Sequence, residues 1–316
     1  MTQIYTLEQI KTVTEKMDFS NTLEQGFVAY SQGEVVVPPV GELTFEQPPG
    51  DTHIKYGYIK NDDVYVIKIA SGFYDNPSIG LPSNSGLMLV FAQKTGVLEA
   101  VLLDEGYLTD IRTAVAGQIA AKQLAPSQVD AIGVFGLGIQ GKMQVEYLKS
   151  VTSCRKVMAW GRSDAKLDQY AADMAELGFE VEGTRNAAEV CSACNLIVTT
   201  TPSQQPLITA EMIRPGTHIT AMGSDTPEKQ ELDADVVGKA DLVVADSIPQ
   251  CLQRGESFKA INAGAFRAEH LQELGHVISG HAVGRTSDSQ VTIADLTGVA
   301  VQDIQIAKAV RAALNT

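Results

Sequence analysis

At 316 residues the chain is long enough for about two domains, and a hydrophobic share of 44% is ordinary for a globular protein with a substantial core. Its 38 acidic residues against 24 basic ones give a net charge of −14, which argues against a nucleic-acid or anionic-membrane surface. No apolar run approaches the roughly 18 residues that span a bilayer, and the first residues carry neither the basic region nor the apolar core of a signal peptide. The 4 cysteines make no disulfide scaffold in so long a chain, and a cytoplasmic setting is expected.

Residues 2–31 read as helical, with Thr6 as cap and Leu7, Ile10, Val13, Met17, Leu23, Phe27 and Val28 on the apolar face. From Glu34 the pattern turns to strands: V-V-V-P-P-V, then residues 43–45, 52–59, 64–69, 86–92 and 97–103, separated by Pro, Gly, Asn and Asp. D-T-H-I-K-Y-G-Y-I-K alternates most clearly, which puts His53, Lys55 and Gly57 on one face and Thr52, Ile54 and Tyr56 on the other. A turn at 104–106 leads to a helix rich in small residues, capped by Thr109 and ending before Pro126.

Residues 130–145 then organise the rest. Ile132 to Phe135 is the short apolar run of a buried parallel strand, and Gly136, Leu137, Gly138, Ile139, Gln140 and Gly141 spell G-x-G-x-x-G before a helical pattern. Gly136 permits the tight turn, Gly138 lets backbone approach a pyrophosphate, and Gly141 lets the helix pack close to the strand. The helix N-terminus offers free N–H groups to the phosphates. Strands at 156–160, 179–183, 195–200, 217–222 and 241–245 alternate with short helices, one of them at 163–177 capped by Ser163 and stopped by Gly178. The expected fold class is therefore α/β: a doubly wound Rossmann domain beside a mixed α+β domain. Ligands bind such sheets at the C-terminal strand ends, where Thr199-Thr200-Thr201-Pro202 and Met222-Gly223-Ser224-Asp225 fall. From about Val291 an amphipathic helix returns. Cys191-Ser-Ala-Cys194 lacks the second ligand pair that a zinc site needs and reads as packing residues; no metal is expected.

Several stretches together resemble the ornithine cyclodeaminase/μ-crystallin family: V-I-K-I-A-S-G, G-L-P-S-N-S-G-L-M-L-V-F, L-T-D-I-R-T-A-V-A-G, G-L-G-I-Q-G, G-S-D-T-P-E-K-Q-E-L and, near the end, T-G-V-A-V-Q-D. The resemblance implies a substrate and dimerisation domain built from both termini (1–122 with 294–316), a NAD(P)-binding domain between them (123–293), and a homodimer. It assigns Lys68 and Arg112 to the substrate carboxylate and Asp225 to acid/base work. These types suit the task, because two cations fix a carboxylate and an aspartate can exchange a proton with the α-nitrogen. The expected cofactor set is Gly136, Gly138, Ile139, Gln140, Gly141, Arg162, Ser163, Thr200, Thr201, Met222, Gly223, Thr113 and Gly298.

The chain departs from the family pattern twice. Many members carry an arginine after a proline near residue 40, where this chain reads Pro38-Pro39-Val40-Gly41. Cyclodeaminases that close ornithine place an acid thirteen positions before the strand lysine, and here that position is Lys55. A cation there repels a diamine and attracts a second carboxylate, with His53 as a companion; the plainer reading of both is a solvated edge strand.

The expected activity is NAD(P)H-dependent reduction of an α-imino acid, favouring a dicarboxylic imine such as iminosuccinate, or the reverse amino-acid dehydrogenation. The alternatives are a cyclodeaminase with recycled NAD and a crystallin-like protein that binds NADPH without turnover. The strand at 156–160 runs on to Gly161-Arg162-Ser163 with no acid to hold a ribose hydroxyl, a lean towards NADP, although Arg162 could equally stack on adenine.

Overall fold

The computed structural model describes residues 2–73 and 75–315. Its elements in chain order begin β1 (Gln3–Tyr5), α1 (Leu7–Thr14), α2 (Ser20–Ser31), β2 (Val35–Val36), β3 (Gly41–Phe45), β4 (Gly50–Ile59), β5 (Val64–Gly72), β6 (Asn84–Ala92), β7 (Leu98–Leu102) and α3 (Tyr107–Leu124). They continue with β8 (Ile132–Phe135), α4 (Ile139–Tyr147), β9 (Lys156–Trp160), α5 (Asp164–Glu176), β10 (Glu180–Thr184), α6 (Ala187–Ala193), β11 (Leu196–Thr199) and β12 (His218–Ala221). The last are α7 (Ala234–Gly238), β13 (Leu242–Ala245), α8 (Ile248–Cys251), α9 (Gly255–Asn262), β14 (Leu271–Glu273), α10 (Leu274–Ile278), β15 (Thr292–Asp295) and α11 (Ala300–Leu314).

The chain divides into two compact units, residues 1–112 with 299–316, and residues 113–298. The first holds a seven-stranded sheet in the order β1-β7-β6-β5-β4-β2, with β3 also pairing β4. All its pairs are antiparallel except β1 with β7. The helix α11 packs on α2, β4 and β5, and its Ile304 and Ile306 are buried, as are Phe27 of α2, Val66 of β5 and Met88 and Val90 of β6. Gly26 makes the α2 approach possible: a Cβ there would stand 2.8 Å from Cγ of Gln305.

The second unit is a fully parallel eight-stranded sheet, β10-β9-β8-β11-β12-β15-β13-β14. Strands β8, β11, β12, β13 and β15 are buried at every residue, the pattern of a sheet covered on both faces. Cys191 and Cys194, at the end of α6, pack in this core, where burial pushes each thiol up to about 12.

Four expectations about local structure are corrected. Residues 3–5 form a strand ahead of the first helix, because Gln3 to Tyr5 pair with Ala100 to Leu102. Thr109 lies inside α3 rather than capping it; the buried carboxylate of Asp104 accepts the N–H of Leu108 instead, at 2.9 Å. Ser163 is the N-cap of α5 by position but makes no side-chain capping bond. Residues 292–295 form a strand, because they pair with β12 on one side and β13 on the other. The unit boundaries accordingly fall at 112/113 and 298/299, against the expected 122/123 and 293/294. The later part of α3 belongs with α4: a Cβ on Gly117 would lie 2.0 Å from Oε1 of Gln144. No helix among the described residues is long and apolar enough to cross a membrane.

Candidate active site

The second unit carries the nucleotide groove. At the end of β8, Gly136 turns the chain with φ +109°, and a Cβ there would meet Oγ1 of Thr200 at 2.4 Å. Thr200 locks the turn by donating its N–H and its hydroxyl to the carbonyl of Phe135, at 2.8 and 3.1 Å. Gly141 sits against the turn, since a Cβ there would come within 2.0 Å of the carbonyl oxygen of Gly136. Gly138 differs from both. It is the N-cap of α4 with no side-chain cap, and nothing lies within 4 Å of its missing Cβ. The space a side chain would fill lies open beside a helix N-terminus with uncapped N–H groups, which fits a pyrophosphate.

Gly136, Gly138, Arg162, Ser163, Thr200 and Thr201 line one groove of about 750 Å³. Lys142 and Lys166 add basic side chains to it, and no acidic residue among the described ones lines it. The other expected cofactor residues lie outside this groove. Ile139 opens α4 and is exposed, and Gln140 accepts from Gln144 at 3.3 Å. Thr113 offers its carbonyl to the same Gln144 amide at 2.9 Å. Met222 donates its N–H to Thr199 at 3.1 Å, and Gly298 donates its own to Asp246 at 2.6 Å with φ +82°.

Gly223 leads to a residue that sequence reasoning passed over. Its N–H donates to Glu231 at 2.9 Å, and the same buried carboxylate accepts the Thr199 hydroxyl at 2.7 Å and the Thr201 N–H at 2.5 Å. Glu231 thus ties the ends of β11 and β12 together, with burial pushing its carboxyl up to about 7. The clue was the acid of D-x-P-x-K-x-E-L. In the same stretch Asp225 pairs with Lys229 at 2.6 Å, and its carbonyl accepts from Arg254 at 3.2 Å. About a third of the Asp225 side chain is open to solvent.

The first unit carries a cluster of cations. Lys55 on β4 and Lys68 on β5 are direct cross-strand partners, and both are buried, as is Arg112 on α3. Burial of Lys55 removes the edge-strand reading, since β4 is flanked by β5 on one side and by β3 and β2 on the other. Lys68 Nζ and Arg112 Nε both meet the same oxygen of Asp303, Oδ1, at 3.1 Å each. Arg112 Nη1 also donates to Gln302 at 3.2 Å. Burial lowers the Lys68 pKa to about 7, helped by the charges of Arg112 and Lys55 and opposed by Asp303. Burial works against the Asp303 charge, yet Lys68, Arg112 and Lys55 together hold its carboxyl below the usual range. Asp104 also faces Lys68; burial raises it to about 6.

Three buried cationic side chains against the two carboxylates of Asp303 and Asp104 leave positive charge that an anion can satisfy. His53 turns elsewhere, its Nε2 3.8 Å from the Glu42 carboxylate across the β3–β4 pair. Asp303 and Gln302 were not singled out from the sequence, although both stand in the T-G-V-A-V-Q-D stretch.

The sequence profile of the ornithine cyclodeaminase/mu-crystallin family matches residues 1–316. The alanine dehydrogenase of Archaeoglobus fulgidus is 35% identical over 311 residues, covering 98% of this chain and 94% of the relative. A solved archaeal alanine dehydrogenase dimer with bound NAD superposes with a TM-score of 0.90 at 33% identity, covering 99% of this chain and 95% of the other. The iminosuccinate reductase of Paracoccus denitrificans, solved with NAD+, gives 0.89 at 30% identity, with 99% and 96% covered.

Proposed function

We propose that this chain, which belongs to the ornithine cyclodeaminase/mu-crystallin family, is an NAD(P)H-dependent reductase of a dicarboxylic α-imino acid, with iminosuccinate giving aspartate as the favoured reaction. The reverse reaction is dehydrogenation of the amino acid. One observation carries this reading: Lys55, Lys68 and Arg112 are all buried, and Asp303 is the ionised carboxylate placed among them. Lys68 and Arg112 hold the α-carboxylate, Arg112 through the planar edge of its guanidinium. Lys55 takes the second carboxylate. The reduced nicotinamide, when bound, supplies hydride to the imine carbon. Asp225 holds the proton that the imine nitrogen gains, so that C=N becomes CH–NH with one hydride and one proton.

The groove of the second unit fits the cofactor through the open side of Gly138 and the bare end of α4. Arg162 and Lys166, in a groove lined by no acid among the described residues, favour a 2′-phosphate, hence NADP; Lys142 is already paired with Asp173, and the two solved relatives described above hold NAD. The protein acts as a homodimer. Leu43 and Phe45 of β3 and Tyr56 and Tyr58 of β4 expose apolar side chains on one face of the sheet, and the archaeal relative is a dimer.

The test is kcat/KM with NADH and NADPH for iminosuccinate, iminopropionate and ornithine, in the natural protein and in Lys55→Glu. The substitution should lower kcat/KM for the dicarboxylic substrate by about 10- to 100-fold, the worth of a partly buried charge-assisted contact. Iminopropionate should suffer much less. An equal loss on every substrate would make Lys55 structural, and ammonia release from ornithine with catalytic NAD would replace this reading by a cyclodeaminase.

A further inference from the structure

The first turn of α11 faces two cations, Lys68 of β5 and Arg112 of α3, from the other segment of the first unit's chain. Arg112 and Asp303 are 191 residues apart in sequence, yet Nε of the one lies 3.1 Å from Oδ1 of the other. The Lys68 ammonium reaches that same oxygen at 3.1 Å, and the adjacent Gln302 takes Nη1 of Arg112 at 3.2 Å. These bonds use Nε and Nη1 of the guanidinium and leave Nη2 for a ligand. The second oxygen of Asp303, Oδ2, is buried with no hydrogen-bond partner among the described residues, so the carboxylate is not there to satisfy a local bonding need. An orphaned buried carboxylate oxygen is costly, and its presence asks for a compensating task.

We propose that Asp303, with Gln302, is a positioning pair that sets Lys68 and Arg112 side by side as one receptor for the substrate's α-carboxylate. This rests on the reading that those two cations bind that carboxylate. Without Asp303, Lys68 would face Arg112 from α3 and Lys55 from β4, with Asp104, in the turn before α3, as an acid on the other side of the balance. Like charges in a low-dielectric pocket separate or discharge, and lysine is the one that can lose its proton. Asp303 opposes both outcomes: it keeps the ammonium charged and pins both donors to one point. Lys68 already sits near neutrality at about 7, so the charge it needs for an anion depends on this carboxylate. Gln302 contributes no charge and serves orientation alone.

The experiment is the pH profile of kcat/KM for the dicarboxylic imine, with calorimetric binding of succinate to the NADH-loaded protein, in the natural chain, Asp303→Asn and Gln302→Leu. Asp303→Asn keeps shape and loses charge. It should move the alkaline fall of kcat/KM to lower pH by about one unit or more and raise KM at about pH 8 by about 30-fold. At about pH 6, where Lys68 regains its proton, KM should return to within about 3-fold of the natural value. Gln302→Leu should raise KM by about 5-fold with kcat and the pH profile unchanged, and it tests the pair if Asp303→Asn does not fold. An unshifted alkaline limb and unchanged succinate binding in Asp303→Asn, or an unchanged KM in Gln302→Leu, would overturn the proposal. If the natural protein itself binds no succinate at any pH, it is the carboxylate-site reading that fails.

Discussion

Lys68 carries its charge where burial opposes charge. Its pKa falls from the ordinary value of 10.5 to about 7, so between those values the unfolded chain binds a proton that the folded one releases. Stability must therefore rise as pH rises through that window. Urea midpoints at about pH 7 and pH 9.5 should show this gain in the natural protein and a smaller one in Lys68→Met, by roughly 1–3 kcal/mol. Equal gains in the two proteins would mean that Lys68 is not the group responsible. Asp225 is the other residue that the chemistry leans on. Asp225→Asn should lower kcat by about 100-fold or more with little change in NADH affinity, measured by steady-state rates and fluorescence titration. Near-natural turnover would remove Asp225 from proton transfer. The family resemblance singled out both residues, whereas the low pKa of Lys68 was not legible in the sequence. That value comes first from burial and then from the charges of Arg112 and Lys55, on separate elements, with Asp303 opposing them.

At the scale of elements, the three glycines of the β8–α4 turn do different work, and two substitutions separate the roles. Gly138 has φ −83° and open space where a Cβ would go. Gly138→Ala should leave the melting temperature within about 2 °C of the natural value and weaken NADH binding about 10-fold or more, by crowding the pyrophosphate. Gly141→Ala instead drives a methyl to 2.0 Å from the Gly136 carbonyl oxygen, and should cost about 2 kcal/mol or more of stability. Calorimetry and cofactor titration on both variants decide it; the idea fails if the two behave alike. The G-x-G-x-x-G spacing announced this turn because strand and helix flanked it. The strands β1, β14 and β15 were missed because their pairing depends on partners far along the chain, which no local pattern announces.

For the molecule as a whole, the exposed Leu43, Phe45, Tyr56 and Tyr58 on one sheet face predict that the 33.8 kDa chain sediments as a pair. A Leu43→Glu, Phe45→Glu double variant should sediment at the mass of one chain while keeping the natural melting profile above dimer dissociation. A natural protein that sediments as a single chain at micromolar concentration would sink the prediction. The net charge of −14 bears on solubility and leaves the cationic cluster unannounced. That cluster is a local inversion of the overall sign, which no composition can reveal.

The sequence by itself determined the α/β class, the glycine turn and the alternation that sets Lys55 and Gly57 on one face of their strand. Each is a local signal, written in a few neighbouring residues whose spacing matches a strand, a helix or a turn. The candidate roles of Lys68, Arg112 and Asp225 came instead from the resemblance to the family. Tertiary structure alone decided where the units divide, that His53 turns to Glu42, that Glu231 ties two strand ends together, and that Asp303 receives both Lys68 and Arg112. Those facts depend on chain segments as far apart as those of Lys68 and Asp303 being packed together. The energy of a buried charge is set by what surrounds it in space, so no reading of its neighbours in sequence could supply it.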